Sequence, residues 1–552
     1  MIKKILFSAT FIVTLLLSNQ QVKEPKIETA TSFFDLYDQN RKEQIPNYIS
    51  LDFILTANYL FKQQSVTQME QEVLYNKFKK IAFEIEANLL KGYKSEKQEA
   101  LAYILVLNEL LGNKIQNVDS KAMELAKKEL ELIKKHKGIS LSPIAKVKLD
   151  YSQYKVRGKY SKTQQLTSYF LALKYMSYMP FMVNPHPATG VSPKVAKEQI
   201  TNAKYIAEAL KPLLKQYQDI EKIISKLSGK GDDLSIIELL KPHKDSKAFL
   251  NGLNKYPKIS ERIIDTTKIK KQDIPKASLA LKLLPSRFTP DSYIFSQLTY
   301  PNVGEVIGKP NRLTSKIDGK LVRGYPTIED IEAILVNKYP KESNYKNYNK
   351  QVEKLKATIR SDKPNTLYDY DFSIYKELLQ KGKTNSFKGY YTQSRYILNL
   401  YQKQSYTGGL KGIFLDNRDK AYLEDNISKV LTLLIEEDKL LNNSKKFIKI
   451  LKQLKELDKK HNNFNKNDIA FLNSLDSRFK SLLQDKDGKI EVDIHTNPVD
   501  GKVLYEVLDK PFVKKIDGFR GAFYNHKEEI KKRWLESFGF WYLLSHLQMQ
   551  KD

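Results

Sequence analysis

MEQEVLYNKFKKIAFEIEANLLKG, residues Met69 to Gly92, is the stretch of sequence that decides the fold class. Its apolar residues recur every three or four positions, which is the period of an amphipathic α-helix. Six of them are predicted to share one buried face: Val73, Leu74, Phe78, Ile81, Ile85 and Leu89. Gly92 is expected to end the helix, because glycine readily adopts the left-handed conformation that follows a helix.

The same pattern continues along most of the chain. Residues 99–114 and 120–138 repeat it, and in the second segment Ser120 is predicted as the N-cap and Gly138 as the C-cap. Further helical patterns cover residues 196–227, 235–240, 328–337, 345–359, 426–443 and 444–460. No fixed-period repeat is present, so the sequence predicts a mainly α fold with a large, irregular multi-helix domain.

Two regions depart from the helical pattern. Residues 284–326 are rich in Pro and Gly, and we expect them to pack as ordered irregular structure, because long structureless loops are uncommon inside compact domains. Residues 489–525 alternate apolar and polar residues and contain the turn pairs Asp500-Gly501 and Asp517-Gly518. Asp-Gly between alternating runs is a hairpin signal. A small antiparallel β element near the C-terminus is therefore predicted.

These patterns predict a domain organisation. Residues 1–21 are expected to be a signal peptide or N-terminal anchor, and residues 22–485 a helical domain. The β element is assigned to residues 486–526, and residues 527–552 to a final helix that packs back on the same unit.

The N-terminus predicts export. Lys3 and Lys4 precede an apolar run from Ile5 to Leu17, and polar residues follow at once. This run suits the core of a signal peptide and is short for a membrane span. No Ala-x-Ala cleavage pattern appears, so a cleaved signal and an uncleaved anchor both stay open. We expect the mature protein in the periplasm, at the cell surface or outside the cell. The chain has no Cys, which excludes an acylated lipoprotein.

The chain is strongly basic, with 93 Lys and Arg against 64 Asp and Glu and a formal net charge of +29. Only 12 of the cations are Arg and 81 are Lys, spread along the whole chain. Readers of nucleic acid favour Arg for its planar, bidentate fork. The composition therefore argues against specific nucleic-acid binding. An AT-rich coding bias would produce the same abundance of Lys, Asn, Ile and Tyr without a functional cause.

No catalytic or metal-binding motif is present in the sequence. The seven His residues form no His-Glu-x-x-His pattern, and Gly-x-Ser-x-Gly and the phosphate-binding loop are both absent. The sequence therefore predicts no cofactor and no metal, and it identifies no catalytic residue.

The stretch DYSQYKVRGKYSKTQQLTSYF, Asp150 to Phe170, combines tyrosines with basic residues. Tyrosines and cations together are typical of sites that stack nucleic-acid bases or line a carbohydrate site. The structural alternative is that this stretch fixes the start of a helix, with Ser161 as its N-cap and Gln164 at the reciprocal capping position.

Several separated blocks resemble the domain of unknown function 3160 family of exported bacterial and archaeal proteins. The stretch Asp150 to Phe170 resembles the most distinctive block of that family. The other similar blocks are Gln44 to Phe61, Arg287 to Gly304, Ser394 to Gly409, Asp493 to Pro511 and Val513 to Asn525. The resemblance implies one large, mainly helical, exported unit with a small β element near its end. It implies no activity. Where the family usually has histidines, this chain has Thr56 and Tyr396, which argues against a metal or general-base role there.

Three functional hypotheses follow. The first is a non-enzymatic, envelope-associated binding or interaction protein with a basic, tyrosine-lined face, whose partner is an envelope polymer or a surface protein. The second is a hydrolase of envelope glycan or peptide, with Asp150, Asp291 and His495 lining one cleft. The third is electrostatic binding of acidic polymers. The candidate binding residues are Asp150, Tyr151, Tyr154, Arg157, Tyr160, Arg287, Asp291, Tyr293, Tyr406 and His495.

Overall fold

Helices make up most of the regular structure, which confirms the predicted mainly α fold. A computed structural model of the protein describes the following residues: 51–115, 119–231, 233–241, 264–270, 273–287, 289–317, 319–359, 364–401, 427–441, 445–460 and 465–483. The predicted β element at residues 486–526, the segment 1–21 and the helix 527–552 lie outside the described residues.

The first half of the described chain is built from helices of 13 to 18 residues. Their bounds are α1 Leu51–Gln68, α2 Tyr75–Leu90, α3 Gln98–Leu110, α4 Ser120–Lys135, α5 Gln164–Tyr178, α6 Pro193–Leu210 and α7 Leu214–Ser228. A π-helical segment, Met69–Leu74, joins α1 to α2 without a break in the chain direction. The helix predicted from Met69 to Gly92 is therefore present, with its first turn wound as π-helix.

The second half uses helices of 4 to 15 residues. They are α8 Ile274–Ala277, α9 Pro290–Gln297, α10 Glu329–Val336, α11 Tyr348–Thr358, α12 Leu367–Gln380, α13 Thr384–Leu398, α14 Ser428–Leu440, α15 Lys445–Asp458, α16 Lys466–Asn473 and α17 Leu475–Leu483. Helices α14 and α15 pack directly against each other.

The strands are only two to four residues long. Strands β1 Ile139–Leu141 and β2 Lys148–Asp150 pair antiparallel, as do β6 Thr314–Ile317 and β7 Lys320–Arg323. Strand β5 Ala280–Lys282 lies between β3 Phe181–Met182, which is antiparallel to it, and β4 Leu234–Ser235, which is parallel. The predicted irregular segment 284–326 contains α9 and the β6–β7 hairpin.

One cluster of buried apolar side chains runs from Leu51 to Leu483. Helix α1, at the start of the described chain, packs against α13 and against α17, at the end of the described chain. Ring contacts tie distant segments together. The rings of Phe61 and Phe447 stack with centroids 4.2 Å apart, and those of Phe78 and Tyr169 stack at 5.4 Å. Burial of this shared apolar surface is the main source of stability.

Three local predictions were wrong. Asp119, and not Ser120, caps α4, because the Asp119 carboxylate accepts hydrogen bonds from the backbone N–H groups of the first turn. Thr163, and not Ser161, caps α5, because its hydroxyl accepts from the N–H of Leu166 at 3.2 Å. The C-cap of α4 is His136, in the left-handed conformation with φ of 35°, two residues before Gly138.

The face predicted for the opening stretch also needs one correction. Val73 is 40 % exposed, whereas the other five predicted core residues, from Leu74 to Leu89, are buried. Val73 lies in the π-helical segment, whose wider turn rotates residues away from the 3.6-residue period.

Candidate functional site

Asp150 ends strand β2 and caps the turn that follows it. Its carboxylate accepts hydrogen bonds from the backbone N–H of Ser152 at 3.0 Å and from the amide of Gln153 at 3.3 Å. These bonds fix the short 3₁₀ turn Tyr151–Tyr154. The Asp150 carboxylate therefore stabilises the turn that follows it.

Tyr151 and Tyr154 are buried beneath the β1–β2 hairpin. The Tyr151 hydroxyl donates to Glu129 Oε1 at 2.5 Å, and Ser142 Oγ donates to Glu129 Oε2 at 2.6 Å. Burial raises the pKa of the Glu129 carboxyl and that of the Tyr151 hydroxyl. The Tyr154 hydroxyl is buried with no hydrogen-bond partner in the described part of the chain. Rings in these positions cannot stack on a base or a sugar at the surface.

Tyr160 belongs to a second buried junction, centred on Glu70 in the π-helical segment. Glu70 is fully buried and accepts hydrogen bonds from Lys159 Nζ at 2.6 Å, from the Tyr160 hydroxyl at 3.0 Å and from the Tyr401 hydroxyl at 2.7 Å. The Tyr169 hydroxyl lies 2.7 Å from that of Tyr401. This Glu70 junction joins three separate parts of the chain. Single π-helical turns often occur at functional sites.

Arg287 lies next to the Glu70 junction. Its backbone N–H donates to the carbonyl of Tyr401 at 3.0 Å, and its buried guanidinium binds Glu221 at 3.3 Å and the carbonyls of Gly229 and Pro285. The structure thus brings the blocks around Tyr160 and Arg287 together.

Asp291 has a different set of partners. It is fully buried at the start of α9 and accepts hydrogen bonds from Thr289 Oγ1 at 2.6 Å, from the Tyr391 hydroxyl at 2.9 Å and from the Arg395 guanidinium. Tyr293, on the same helix, is half-buried. None of the partners of Asp291 is a partner of Asp150. Tyr406 and His495, the remaining candidates, lie outside the described residues.

The sequence reasoning missed a buried charge cluster, the Lys62 triad, formed by Lys62, Asp371 and Glu437. The Lys62 ammonium lies 2.7 Å from Asp371 Oδ1 and 2.6 Å from Glu437 Oε1, and all three side chains are at most 3 % exposed. Asn58 Nδ2 donates to Glu437 Oε2 at 3.0 Å, and Lys62 also donates to the Tyr390 hydroxyl at 3.1 Å.

The three charges of the Lys62 triad act strongly on one another because they are buried and the Lys62 ammonium lies within hydrogen-bond distance of both carboxylates. Burial disfavours the Lys62 ammonium, but Asp371 and Glu437 outweigh burial and raise its pKa, so the lysine is protonated. Burial raises the pKa of Glu437 to about 7. A protonated, enclosed lysine is not a nucleophile. The triad joins three helices, because Lys62 lies on α1, Asp371 on α12 and Glu437 on α14. One signal in the sequence pointed to Lys62, though not to its two partners, since Lys62 lies on the apolar stripe of α1 between Tyr59 and Val66.

The described residues contain neither a candidate metal site nor a candidate membrane-spanning helix. No group of three or more His, Cys, Asp or Glu could hold a metal ion in this part of the chain. Within the same residues, no helix has the length and apolar character needed to cross a membrane.

A protein-family model described as "Protein of unknown function (DUF3160)" matches residues 3–511. The chain belongs to the DUF3160 family. The match confirms the resemblance inferred from the separated sequence blocks. No curated protein and no solved structure matches the chain. Asp150, the Glu70 junction and the Lys62 triad all lie within the residues matched by the DUF3160 model.

One surface of this DUF3160 protein combines exposed apolar and basic side chains. We call it the basic hairpin face, and its members are Lys134, Lys137, Ile139, Leu141 and Lys148. Ile139 and Leu141, on β1, are 60 % and 63 % exposed. Lys148, on β2, lies directly opposite Leu141, on β1, so both side chains project from the same side of the hairpin.

The lysines of the basic hairpin face are all exposed, and within the described residues none of the three has an ion-pair partner. Neighbouring cations behave differently. Lys135 lies 4.0 Å from Glu131, and Lys146, in the loop between the strands, binds Glu198 at 2.8 Å. Arg157, the nearer in sequence of the two basic residues among the predicted binding residues, is also exposed. The exposed cations of this region therefore lie apart from the buried rings of Tyr151, Tyr154 and Tyr160.

Proposed function

We propose that this DUF3160 protein is exported and acts in the cell envelope as a non-enzymatic protein that binds an acidic partner at the basic hairpin face. The observation that carries the proposal is that, around α4 and the hairpin, lysines lie at the surface and the Glu129 carboxylate lies in the interior. The exposed lysines of the face have no ionic partner in the described residues, whereas Glu129 beneath them is buried and hydrogen-bonded. A surface with unbalanced positive charge attracts anions and speeds their association.

The contacts of the candidate carboxylates favour this proposal over the hydrolase hypothesis. Asp150 caps its own turn, and Asp291 is enclosed by Tyr391 and Arg395. Acid–base catalysis needs a carboxyl group within hydrogen-bond reach of a substrate. Asp291 is fully buried, Asp150 is engaged by its own turn, and nothing in their contacts brings the two together.

A binding experiment on the full chain tests the proposal with heparin as the acidic probe. The face variant replaces three lysines by glutamine: Lys134→Gln, Lys137→Gln and Lys148→Gln. The control makes the same change in net charge on the outer side of α7: Lys215→Gln, Lys222→Gln and Lys226→Gln. We expect the face variant to elute from immobilised heparin at a lower salt concentration than the wild type, and the control to elute close to the wild type.

Equal losses in the two variants would contradict binding at the face and favour the hypothesis of binding by overall charge. No retention of the wild type would contradict binding of acidic partners altogether. The export part of the proposal is tested separately, by fractionating cells that express the chain with and without residues 1–21. Cytoplasmic retention of the complete chain would contradict it.

A further inference from the structure

The basic hairpin face also presents two apolar side chains to solvent. Successive side chains of a strand point to opposite sides, so Ile139 and Leu141 project together while Ser140 projects the other way. Leu149, opposite Ser140 in the register, is fully buried. The hairpin thus has one side packed on the core and one side that exposes a pair of large aliphatic groups.

The hairpin holds this pair in a fixed position. Ser142, directly after β1, donates its hydroxyl to Glu129 on α4, and its backbone N–H donates to the carbonyl of Val147 at 2.9 Å. Tyr151, directly after β2, donates to the same Glu129 carboxylate, and its backbone N–H donates to the carbonyl of Gly138 at 2.8 Å. Both ends of the hairpin are therefore tied to α4 by buried hydrogen bonds.

Three exposed lysines lie close to the pair, either along the chain or in the strand register. Lys137 precedes Ile139 by two residues, Lys148 lies opposite Leu141, and Lys134 lies in the last turn of α4. The acidic residue on this side of the hairpin, Asp150, lies opposite Ile139 and accepts hydrogen bonds from its own turn. Long lysine side chains can keep their charges at a polar surface while their neighbours enter an apolar phase.

We infer that the basic hairpin face docks on an anionic phospholipid bilayer, with Ile139 and Leu141 inserted among the lipids and the three lysines at the headgroups. This inference rests on the proposed binding of an acidic partner and names that partner. An amphipathic surface with basic residues around apolar ones binds anionic bilayers through both forces. Each lysine close to such a bilayer contributes roughly a fivefold increase in affinity.

Two other occupants fit the face less well. A soluble polyanion neutralises the lysines but offers no apolar phase to Ile139 and Leu141. A second copy of the chain, docked through the same face about a twofold axis, would bring like charges together. An anionic bilayer supplies both negative charge and an apolar interior.

Vesicle co-sedimentation of the full chain tests the inference. The probes are vesicles of phosphatidylcholine alone and vesicles that also contain phosphatidylglycerol. We expect binding to the mixed vesicles only, and a loss of about tenfold or more when Ile139→Ser and Leu141→Ser are combined. The matched control combines Ile307→Ser and Leu321→Ser, an exposed pair on β7 and on the segment hydrogen-bonded to it, and is expected to bind as the wild type does.

Insertion itself can be measured with one fluorophore, because the chain contains no Cys. A polarity-sensitive label on Leu141→Cys is expected to shift its emission to the blue with the mixed vesicles, and the same label on Ile307→Cys is not. Retention on heparin without vesicle binding would overturn the inference and leave the proposed function standing. Loss of both would overturn both. Vesicle binding that is unchanged by Ile139→Ser and Leu141→Ser would also overturn the inference.

Discussion

Replacing Glu437 by glutamine is expected to stabilise the protein at high pH. Glu437 and Asp371 share a single buried ammonium, that of Lys62, at 2.6 Å and 2.7 Å. One lysine can balance only one of two carboxylates, and a second buried carboxylate is costly unless it is protonated. Burial accordingly raises the pKa of Glu437 from its ordinary value of 4.5 to about 7.

The magnitude follows from the difference between the pKa of Glu437 in the folded chain and its pKa in the unfolded chain. Because the folded chain holds this proton more tightly than the unfolded chain, the contribution to stability is fully present below pH 4.5 and is lost as the pH rises through about 7. The loss amounts to about 3 kcal/mol. Glutamine resembles the protonated acid and can still accept from Lys62. The Oδ1 atom of Asn58, which has no partner in the described residues, can turn to accept from the new amide.

Urea denaturation of the full chain, followed by circular dichroism, measures the effect at pH 5 and pH 8. At pH 8 the Glu437→Gln variant is expected to be about 3 kcal/mol more stable than the wild type, and at pH 5 less than about 1 kcal/mol more stable. Glu436→Gln is the matched control, since Glu436 is the adjacent residue and its side chain is 44 % exposed. A difference between wild type and Glu437→Gln that is the same at both pH values would refute the reasoning, as would a less stable variant at pH 8.

Three further predictions concern the other polar clusters and the basic surface. Glu70→Ala leaves a buried ammonium without its carboxylate and is expected to cost about 3 to 5 kcal/mol in the free energy of unfolding, measured by urea denaturation; a cost below 1 kcal/mol would contradict a buried ion pair. Tyr151→Phe removes a hydrogen bond to a buried carboxylate and is expected to cost about 1 to 3 kcal/mol, whereas Tyr154→Phe removes a hydroxyl without a partner in the described residues and is expected to be neutral or stabilising, so a larger loss for Tyr154→Phe would be inconsistent with the structure. Arg157→Ala is expected to weaken retention on heparin while the fold, followed by circular dichroism, stays unchanged, because Arg157 is exposed; unaltered retention would contradict its prediction as a binding residue.

The helices could be predicted because their apolar period is local information. The five apolar residues predicted between Leu74 and Leu89 lie on the buried face. The error at Val73 arises from a π-helical segment, which the apolar pattern does not indicate. The strands of the first half were missed for a related reason. Strands of two or three residues, such as β1 and β3, are too short to show an alternating pattern.

The polar clusters could not be read from the sequence, because their members meet across hundreds of residues. Lys62 and Glu437 are 375 positions apart, and Glu70 and Tyr401 are 331 apart. In the sequence each is one polar residue on an amphipathic helix or in a tyrosine-rich stretch. The same limit applies to the stretch Asp150 to Phe170. Composition indicated tyrosines and cations together, but only the fold separates the buried rings of Tyr151, Tyr154 and Tyr160 from the exposed Arg157.

The central claim is that an acidic partner is bound by the lysines of the basic hairpin face. It is tested most directly by the salt dependence of heparin affinity, measured for the full chain by titration calorimetry at several salt concentrations. Counterion release makes the logarithm of the affinity fall linearly with the logarithm of the salt concentration, with a slope set by the number of contacting cations. The account predicts that combining Lys134→Gln, Lys137→Gln and Lys148→Gln makes the slope shallower by roughly one unit per lysine. An unchanged slope would contradict it.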